Sequence, residues 1–177
     1  MATLKQARVI KDLGGTWKYR VDAEGVGIAR GYHLPDLDRS DWKEMTIPNN
    51  WYLTEVGDYF GAVWFKTTFT VPQEMKGKHL TLKFHAVDYY ADVWLNGKYL
   101  GRHEGFFLPF EFDVTNKVNL DGENVLVVRD DAPRDPTPYI LVKDAFNLSS
   151  PMSEPYKRHW ARDLKLIKGH FIDAMHR

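Results

Sequence analysis

Hydrophobic and polar residues alternate along much of this chain, with the period of two that is typical of strands burying one face. The first such run places Trp17, Tyr19 and Val21 on one face. Similar runs occupy residues 63–71, 79–85, 91–95, 110–114 and 125–128. The pattern therefore predicts a series of short β-strands that extends to about residue 130.

Turn residues separate these runs and show how neighbouring strands connect. Asn96-Gly97 lies between two alternating runs, and this dipeptide tolerates the two positive φ angles of a type I′ turn. It predicts a tight hairpin with a defined register. Gly101 and Gly105 predict a second turn that leads into the run beginning at Phe110.

Many short strands with regular turn signals are typical of an antiparallel sandwich. We therefore predict an all-β fold, an antiparallel jelly-roll β-sandwich from about Leu13 to Asp130, with a short C-terminal helical segment. The predicted domain occupies residues 1–133. Its core includes Trp64, which lies in the middle of an apolar run.

The pattern changes after residue 130. Residues 131–138 contain three prolines, which exclude a central strand. An apolar stripe with helical spacing follows, for which ordinary core packing is the favoured interpretation: Tyr156, Trp160, Leu164, Ile167, Phe171 and Met175. We therefore assign residues 134–177 to a Pro-rich loop and an amphipathic helix, predicted over 154–168.

Composition narrows the classes of function. The 177 residues carry no net charge and no cysteine, which argues against a nucleic-acid surface and excludes disulfides and Cys-based zinc sites. No apolar run approaches the length of a membrane span, so no membrane partner is expected. The N-terminus lacks a signal-peptide core, but a removed signal would look the same. The compartment, cytoplasmic or exported, therefore stays open.

Six short motifs follow one another along the chain: residues 59–65 (YFGAVWF), 69–72 (FTVP), 93–97 (VWLNG), 101–105 (GRHEG), 109–115 (PFEFDVT) and 123–128 (ENVLVV). In this order they resemble the N-terminal sugar-binding domain of glycoside hydrolase family 2, which includes β-galactosidases, β-glucuronidases and β-mannosidases. The similarity covers about Leu13 to Asp131. The motifs describe the scaffold and not the sugar, so they select no single member.

The resemblance implies a galactose-binding-like sandwich in an enzyme that hydrolyses O-glycosidic bonds at a terminal β-linked sugar. It also implies downstream partners, an immunoglobulin-like domain and a (β/α)8 barrel that holds the acid and the nucleophile. No catalytic residue is therefore expected in this chain. The family's closing strand, resembling Gly-Ile-x-Arg-Asp-Val, is missing before Arg177. We therefore expect a truncated domain with an open sheet edge, and either self-association or a disordered tail.

The first candidate ligand residues are identified by their residue types and their positions next to turns. Trp51 and Tyr59 stand near turn residues and beside Asn49 and Asn50, and aromatic faces with amides suit a carbohydrate ligand. Core packing is the alternative for both rings. The resemblance adds that the loop carrying Asn49 and Asn50 reaches the active site of the neighbouring barrel.

The resemblance also implies a polar contact to the terminal sugar from the loop after the last strand, which indicates Asp131 and Arg134. Asp130 and Asp131 are adjacent at the end of the last strand, where the loop begins, so they face opposite sides and cannot form the ~5 Å pair of a retaining glycosidase. A catalytic or metal role for His103 and Glu104 lacks a third partner at ligand spacing, and a hydrogen-bonded turn is favoured. No metal and no cofactor is predicted.

Three functions therefore remain open from the sequence. The leading hypothesis is a non-catalytic domain that supports a family 2 glycosidase and contributes loop residues to its sugar pocket. The second is an independent carbohydrate-binding module or lectin with the same fold, against which residues 134–177 argue. The third is an interaction domain without a sugar role. Direct sugar binding by the isolated chain separates the second hypothesis from the other two.

Overall fold

The computed structural model describes residues 8–105 and 108–132. The predicted C-terminal helix, the Pro-rich loop and Arg134 lie outside these residues. The strands are β1 Gly15–Asp22, β2 Lys43–Ile47, β3 Gly61–Thr70, β4 Thr81–Phe84, β5 Tyr90–Leu95, β6 Lys98–Glu104, β7 Phe110–Asp113 and β8 Glu123–Ala132. Two short 3₁₀ turns cover Trp51–Leu53 and Gln73–Met75.

The strands form two sheets, and every pairing is antiparallel. One sheet has six strands in the order β2-β1-β3-β8-β5-β6, and the other pairs β4 with β7. The prediction of an all-β, two-sheet antiparallel sandwich is therefore confirmed. Residues 8–105 and 108–132 contain no helix that is long and apolar enough to cross a membrane.

The main core lies between the two sheets. Alternation places Val63 and Phe65 of β3 on the inner face, where they meet Leu82 and Phe84 of β4. All four side chains are buried, as are Trp17 and Tyr19 of β1. Burying each of these apolar groups contributes roughly 1.5–3 kcal/mol, so this cluster is a main source of stability for the sandwich.

The Asn96-Gly97 hairpin is confirmed, with φ angles of 52° and 75° at its two central residues. The Asn96 side chain does more than permit the turn, because its Oδ1 accepts the N–H of Val125 at 2.8 Å. Its Nδ2 donates to Asn124 Oδ1 at 2.9 Å. The hairpin tip is therefore tied to the start of β8.

The second predicted turn was wrong at its first residue. Gly101 lies inside β6, opposite Val93, where the pairing with β5 shifts by one residue. His103 and Glu104, predicted to flank a turn, also lie in β6. Leu100 is the extra residue of β6 at this β-bulge, and the bulge lets the neighbouring Gly101, with its positive φ, occur within a continuous strand.

A second, smaller apolar cluster lies on the outer face of the six-stranded sheet. Trp64, Trp94 and Val127 point outward from neighbouring strands and are covered by Tyr32 and Trp42 from the 23–42 loop. The rings of Trp64 and Trp94 stack at 5.3 Å, and Tyr32 meets Trp64 edge-on at 5.7 Å. This loop therefore completes a buried layer on the outer face.

Asp22 and Gly27 fix the start of the 23–42 loop. The carboxylate of Asp22 accepts the N–H groups of Val26 and Gly27 at 2.8 and 2.9 Å, and the indole N–H of Trp64 at 3.0 Å. A Cβ on Gly27 would lie 2.3 Å from the Trp64 nitrogen. Only glycine allows the loop to approach the ring so closely.

Within the described residues, β4 pairs on one side only, with β7. A largely apolar cavity of about 490 Å³ runs beside it, lined in part by Ile10, Leu13, Met75, Leu80 and Leu82. The self-association expected of an open sheet edge stays a prediction.

Candidate functional site

The candidate site lies at one end of the six-stranded sheet, where β3 begins and β8 ends. In the register of the central strands, Asp131 of β8 lies between Ala62 of β3 and Tyr90 of β5. Asp131 and Arg129 share the outer face of β8, while Asp130 shares the inner face with Val128. The adjacent carboxylates of Asp130 and Asp131 therefore point to opposite sides of the sheet.

Asp131 is held by an ion pair and remains partly exposed. Arg129 Nη2 donates to Asp131 Oδ2 at 2.7 Å, and the Asp131 side chain keeps 25% of its accessible surface. Its other oxygen, Oδ1, accepts no hydrogen bond from the described residues. Asp131 therefore offers Oδ1 as a hydrogen-bond acceptor, while Arg129 holds the other carboxylate oxygen, Oδ2.

Asp92 is the buried anchor beneath this pair. Its carboxylate accepts from Arg102 Nε and Nη2 at 2.9 and 2.7 Å, from Tyr99 Oη at 2.8 Å and from Arg129 Nη1 at 3.2 Å. Burial by itself raises the pKa of Asp92, but hydrogen bonds from Arg102 and Tyr99 and the two guanidinium charges hold this pKa below its usual value. Asp92 is therefore an ionised structural group and no proton donor at neutral pH.

Aromatic rings border the charged network. The guanidinium of Arg102 lies 5.4 Å from the ring centre of Tyr90, and the Tyr89 and Tyr90 rings meet edge-on at 4.7 Å. The hydroxyl of Tyr89 donates to Glu104 Oε1 at 2.8 Å. This end of the sheet thus combines aromatic rings with charged groups, the mixture that suits a carbohydrate.

Tyr59, predicted as a ligand residue, lies close to Asp131. Burial, followed by the charges of Asp22 and Asp131, raises the pKa of Tyr59 above its ordinary value. The Tyr59 hydroxyl donates to the carbonyl of Ala62 at 3.4 Å. The structure thus brings Tyr59 to the same end of the sheet as Asp131.

The other predicted residues of this loop have structural contacts. Trp51 is 2% exposed and stacks on Phe65 at 6.4 Å, so its ring faces the core in this chain. Asn50 is buried and accepts the N–H of Tyr52 at 3.0 Å, capping the 3₁₀ turn. The side chain of Asn49 accepts the N–H of Asn50 at 2.8 Å. Core packing is therefore the interpretation that the contacts of Trp51 support.

Asp130 and His103 lie between the sheets. Burial, and next the charge of Asp131, raises the pKa of Asp130 well above its ordinary value. The His103 ring stacks on Phe110 at 4.2 Å, and burial lowers its pKa against the opposing effect of Glu104. Among residues 8–105 and 108–132, no group of three or more acidic or histidine side chains is arranged to hold a metal.

The sequence reasoning missed Asp92, Arg102 and Arg129. A signal was present, because Asp92 interrupts an apolar strand next to the Asn96-Gly97 turn and Arg129 does the same two residues before Asp131. A charge inside an apolar strand needs a partner on a neighbouring strand. The pairing of β5 with β8, which decides the partner, is a tertiary property.

Comparison with known proteins agrees with this architecture. The family described as glycosyl hydrolase 2 galactose-binding domain-like matches residues 46–162. The β-glucuronidase of Paenibacillus borealis is 34% identical over 131 residues, a match covering 67% of this chain and 22% of that enzyme. The β-galactosidase of Thermoanaerobacter pseudethanolicus is 29% identical over 123 residues, covering 69% of this chain and 15% of that enzyme.

Solved structures show the same relationship. A β-glucuronidase from an uncultured Clostridium species matches with a TM-score of 0.66 and 37% identity, over 74% of this chain and 23% of that one. The β-glucuronidase of Lactobacillus rhamnosus matches with a TM-score of 0.66 and 31% identity. The matched part of this chain thus covers between 15% and 23% of the length of these relatives. By its sequence motifs, its antiparallel sandwich and the match over residues 46–162, the chain belongs to the family of glycosyl hydrolase 2 galactose-binding-like domains.

Proposed function

We propose that this chain is the non-catalytic N-terminal domain of a glycosidase that hydrolyses the O-glycosidic bond of a terminal β-linked sugar. The observation that carries the proposal is the match to β-glucuronidases and a β-galactosidase over only 15–23% of their length. The remaining length leaves room for the immunoglobulin-like and (β/α)8 barrel domains that the family resemblance implies. The two enzyme names differ in their sugar, so the proposal names the class of substrate.

In this proposal the chemistry belongs to the barrel. A retaining glycosidase uses one carboxylic acid and one carboxylate about 5 Å apart, which protonate the leaving oxygen and attack the sugar. Asp130 and Asp131 face opposite sides of β8, and Asp92, which shares Arg129 with Asp131, is held ionised. The carboxylates of this site are therefore suited to binding and not to acid catalysis.

The contribution of this domain is a hydrogen-bond acceptor at the rim of the sugar pocket. A hydroxyl of the terminal sugar donates to Asp131 Oδ1, while Arg129 holds Oδ2 at 2.7 Å. An ionised acceptor gives a stronger hydrogen bond than a neutral one, and the contact orients the sugar without transferring a proton. Tyr59 supports the same end of the sheet, and Arg134 follows closely in sequence.

The purified chain is expected to release no chromophore from p-nitrophenyl β-glucuronide or β-galactoside. The physical reason is that the carboxylates at the candidate site are either shared with arginine or turned to opposite faces. The assay compares the chain with a buffer blank and with a β-glucuronidase as positive control. Turnover by the pure chain that the Asp131→Asn substitution abolishes would contradict the proposal that the catalytic residues lie in the barrel domain.

The Asp131→Asn substitution is expected to lower kcat/KM of the full-length enzyme that carries this domain by about tenfold, since one charged hydrogen bond to the substrate is weakened. Steady-state kinetics with a chromogenic β-glycoside measures the effect. Asp121→Asn serves as the matched control, because Asp121 lies before β8 begins and its side chain is 89% exposed. Equal kcat/KM values for the two variants would remove Asp131 from the sugar pocket.

A further inference from the structure

We propose that Arg129 is a positioning residue, which fixes the Asp131 carboxylate so that Oδ1 remains available to a sugar hydroxyl. The inference rests on the proposed function, because it assigns a role to a neighbour of the residue that contacts the sugar. One part of the proposal concerns the orientation of the Asp131 side chain, and this part is testable in the 177-residue chain alone.

Arg129 is itself immobilised by the sheet. It lies in β8 between β3 and β5, with Trp64 and Asp92 as its cross-strand neighbours. Its side chain keeps 19% of its accessible surface. Strands on both sides prevent the backbone from moving, so the guanidinium can reach only groups on the outer face of the sheet.

Two carboxylates share the one guanidinium. Nη1 lies 3.2 Å from Asp92 Oδ2 and Nη2 lies 2.7 Å from Asp131 Oδ2, so the planar group spans both acids. Asp92 is also held by Arg102 and Tyr99, and its side chain is only 7% exposed. The buried acid thus fixes the plane of Arg129, and Arg129 fixes Asp131.

The sharing has a consequence for the acceptor. Arg102 supplies Asp92 with a second cation, so the contact from Arg129 to Asp131 is not needed to neutralise Asp92. Asp131 is the more exposed of the two acids, at 25% against 7%. A carboxylate that is already oriented loses little side-chain entropy when a hydroxyl binds. The arrangement prepares Asp131 for a ligand before the ligand arrives.

Arg129→Lys is the sharpest test, because lysine keeps the charge but cannot donate two oriented N–H groups in one plane. Arg20→Lys is the matched control, since Arg20 pairs with the exposed Asp41 and contacts neither Asp92 nor Asp131. In the 177-residue chain, χ1 coupling constants measured by NMR report the Asp131 rotamer. We expect one rotamer in the wild-type chain and in Arg20→Lys, and averaged couplings in Arg129→Lys. A single unchanged rotamer in Arg129→Lys overturns the proposal.

A double-mutant cycle in the full-length enzyme tests the functional part of the proposal. Arg129→Lys is expected to lower kcat/KM about fivefold in the wild-type background and to have no further effect beside Asp131→Asn. Equal losses in both backgrounds overturn the positioning role. If Asp131→Asn by itself leaves kcat/KM unchanged, the proposed function fails, while the NMR measurement still decides whether Arg129 orients Asp131. Arg129→Gln replaces Arg129→Lys in both measurements if the lysine variant does not fold.

Discussion

The Arg39→Met variant is expected to be less stable than the wild-type chain by about 3 kcal/mol, a fall in melting temperature of about 10 °C. Arg39 is 6% exposed, and its guanidinium donates to the carbonyls of Tyr32, Leu34, Pro35 and Leu37. It also lies 5.2 Å from the ring centre of Trp42. Methionine fills a similar volume but removes the guanidinium from all four carbonyls, of which only that of Leu34 keeps a second donor, the N–H of Leu37. The loop should therefore separate from the Trp64 and Trp94 layer.

Thermal unfolding followed by tryptophan fluorescence measures this loss, because the same loop covers the buried indoles. Arg30→Met is the matched control, since Arg30 lies in the same loop with its side chain 55% exposed and only a 3.8 Å pairing with Glu24. We expect the control to change the free energy of unfolding by less than about 0.5 kcal/mol. Equal stabilities for the two variants would show that Arg39 does not hold the loop.

The Asp92→Ala variant is expected to lose about 3–4 kcal/mol of stability at neutral pH, because breaking a buried ionic network leaves its cations without a partner. Arg102, Arg129 and Tyr99 all donate to this one carboxylate. Removing it also frees Arg129, so Asp131 loses its fixed orientation. This substitution therefore affects the fold and the candidate site together.

The stability lost in Asp92→Ala should be larger at neutral pH than at acidic pH. The folded-state pKa of Asp92 lies below its unfolded value of about 3.9, so its contribution is present above about pH 4 and is lost as pH falls through the folded pKa. Urea unfolding at pH 7 and at pH 3 measures the change. The difference between wild type and Asp92→Ala should shrink at the lower pH.

Asp41→Ala is the control for this series, because Asp41 pairs with Arg20 at the surface, with side chains 63% and 35% exposed. Its removal should change stability by less than about 1 kcal/mol at either pH. A loss in Asp92→Ala that is equally large at pH 3 and pH 7 would contradict an electrostatic origin and indicate lost packing instead.

Local patterns predicted much of the sandwich. The alternation of Trp17 and Tyr19 with polar residues, and the Asn96-Gly97 turn, depend on neighbours in sequence, and the structure confirms both. The error at Gly101 has a local cause. A glycine in a β-bulge and a glycine in a turn share a positive φ, so the residue type does not distinguish the two.

Among the candidate site residues, too, only the features that depend on sequence neighbours could be predicted. Alternation in β8 correctly separates Asp130 from Asp131, since successive side chains of a strand face opposite sides. Trp51 could not be assigned from its neighbours, because a ring beside turn residues suits a sugar and a core equally. Its 6.4 Å stacking on Phe65 comes from a strand that begins ten residues later.

The sequence by itself therefore determined most of the strands, the main hairpin, the two faces of β1 and β8, and the family resemblance. The tertiary structure alone decided that the 23–42 loop covers an outer tryptophan layer, and that Asp92, Arg129 and Asp131 form one network. The physical reason is range. Backbone preference and alternation act over a few residues, whereas a buried charge is stabilised by partners that strand pairing brings from distant parts of the sequence. Arg129 and Asp92, which are joined by a hydrogen bond, are 37 residues apart.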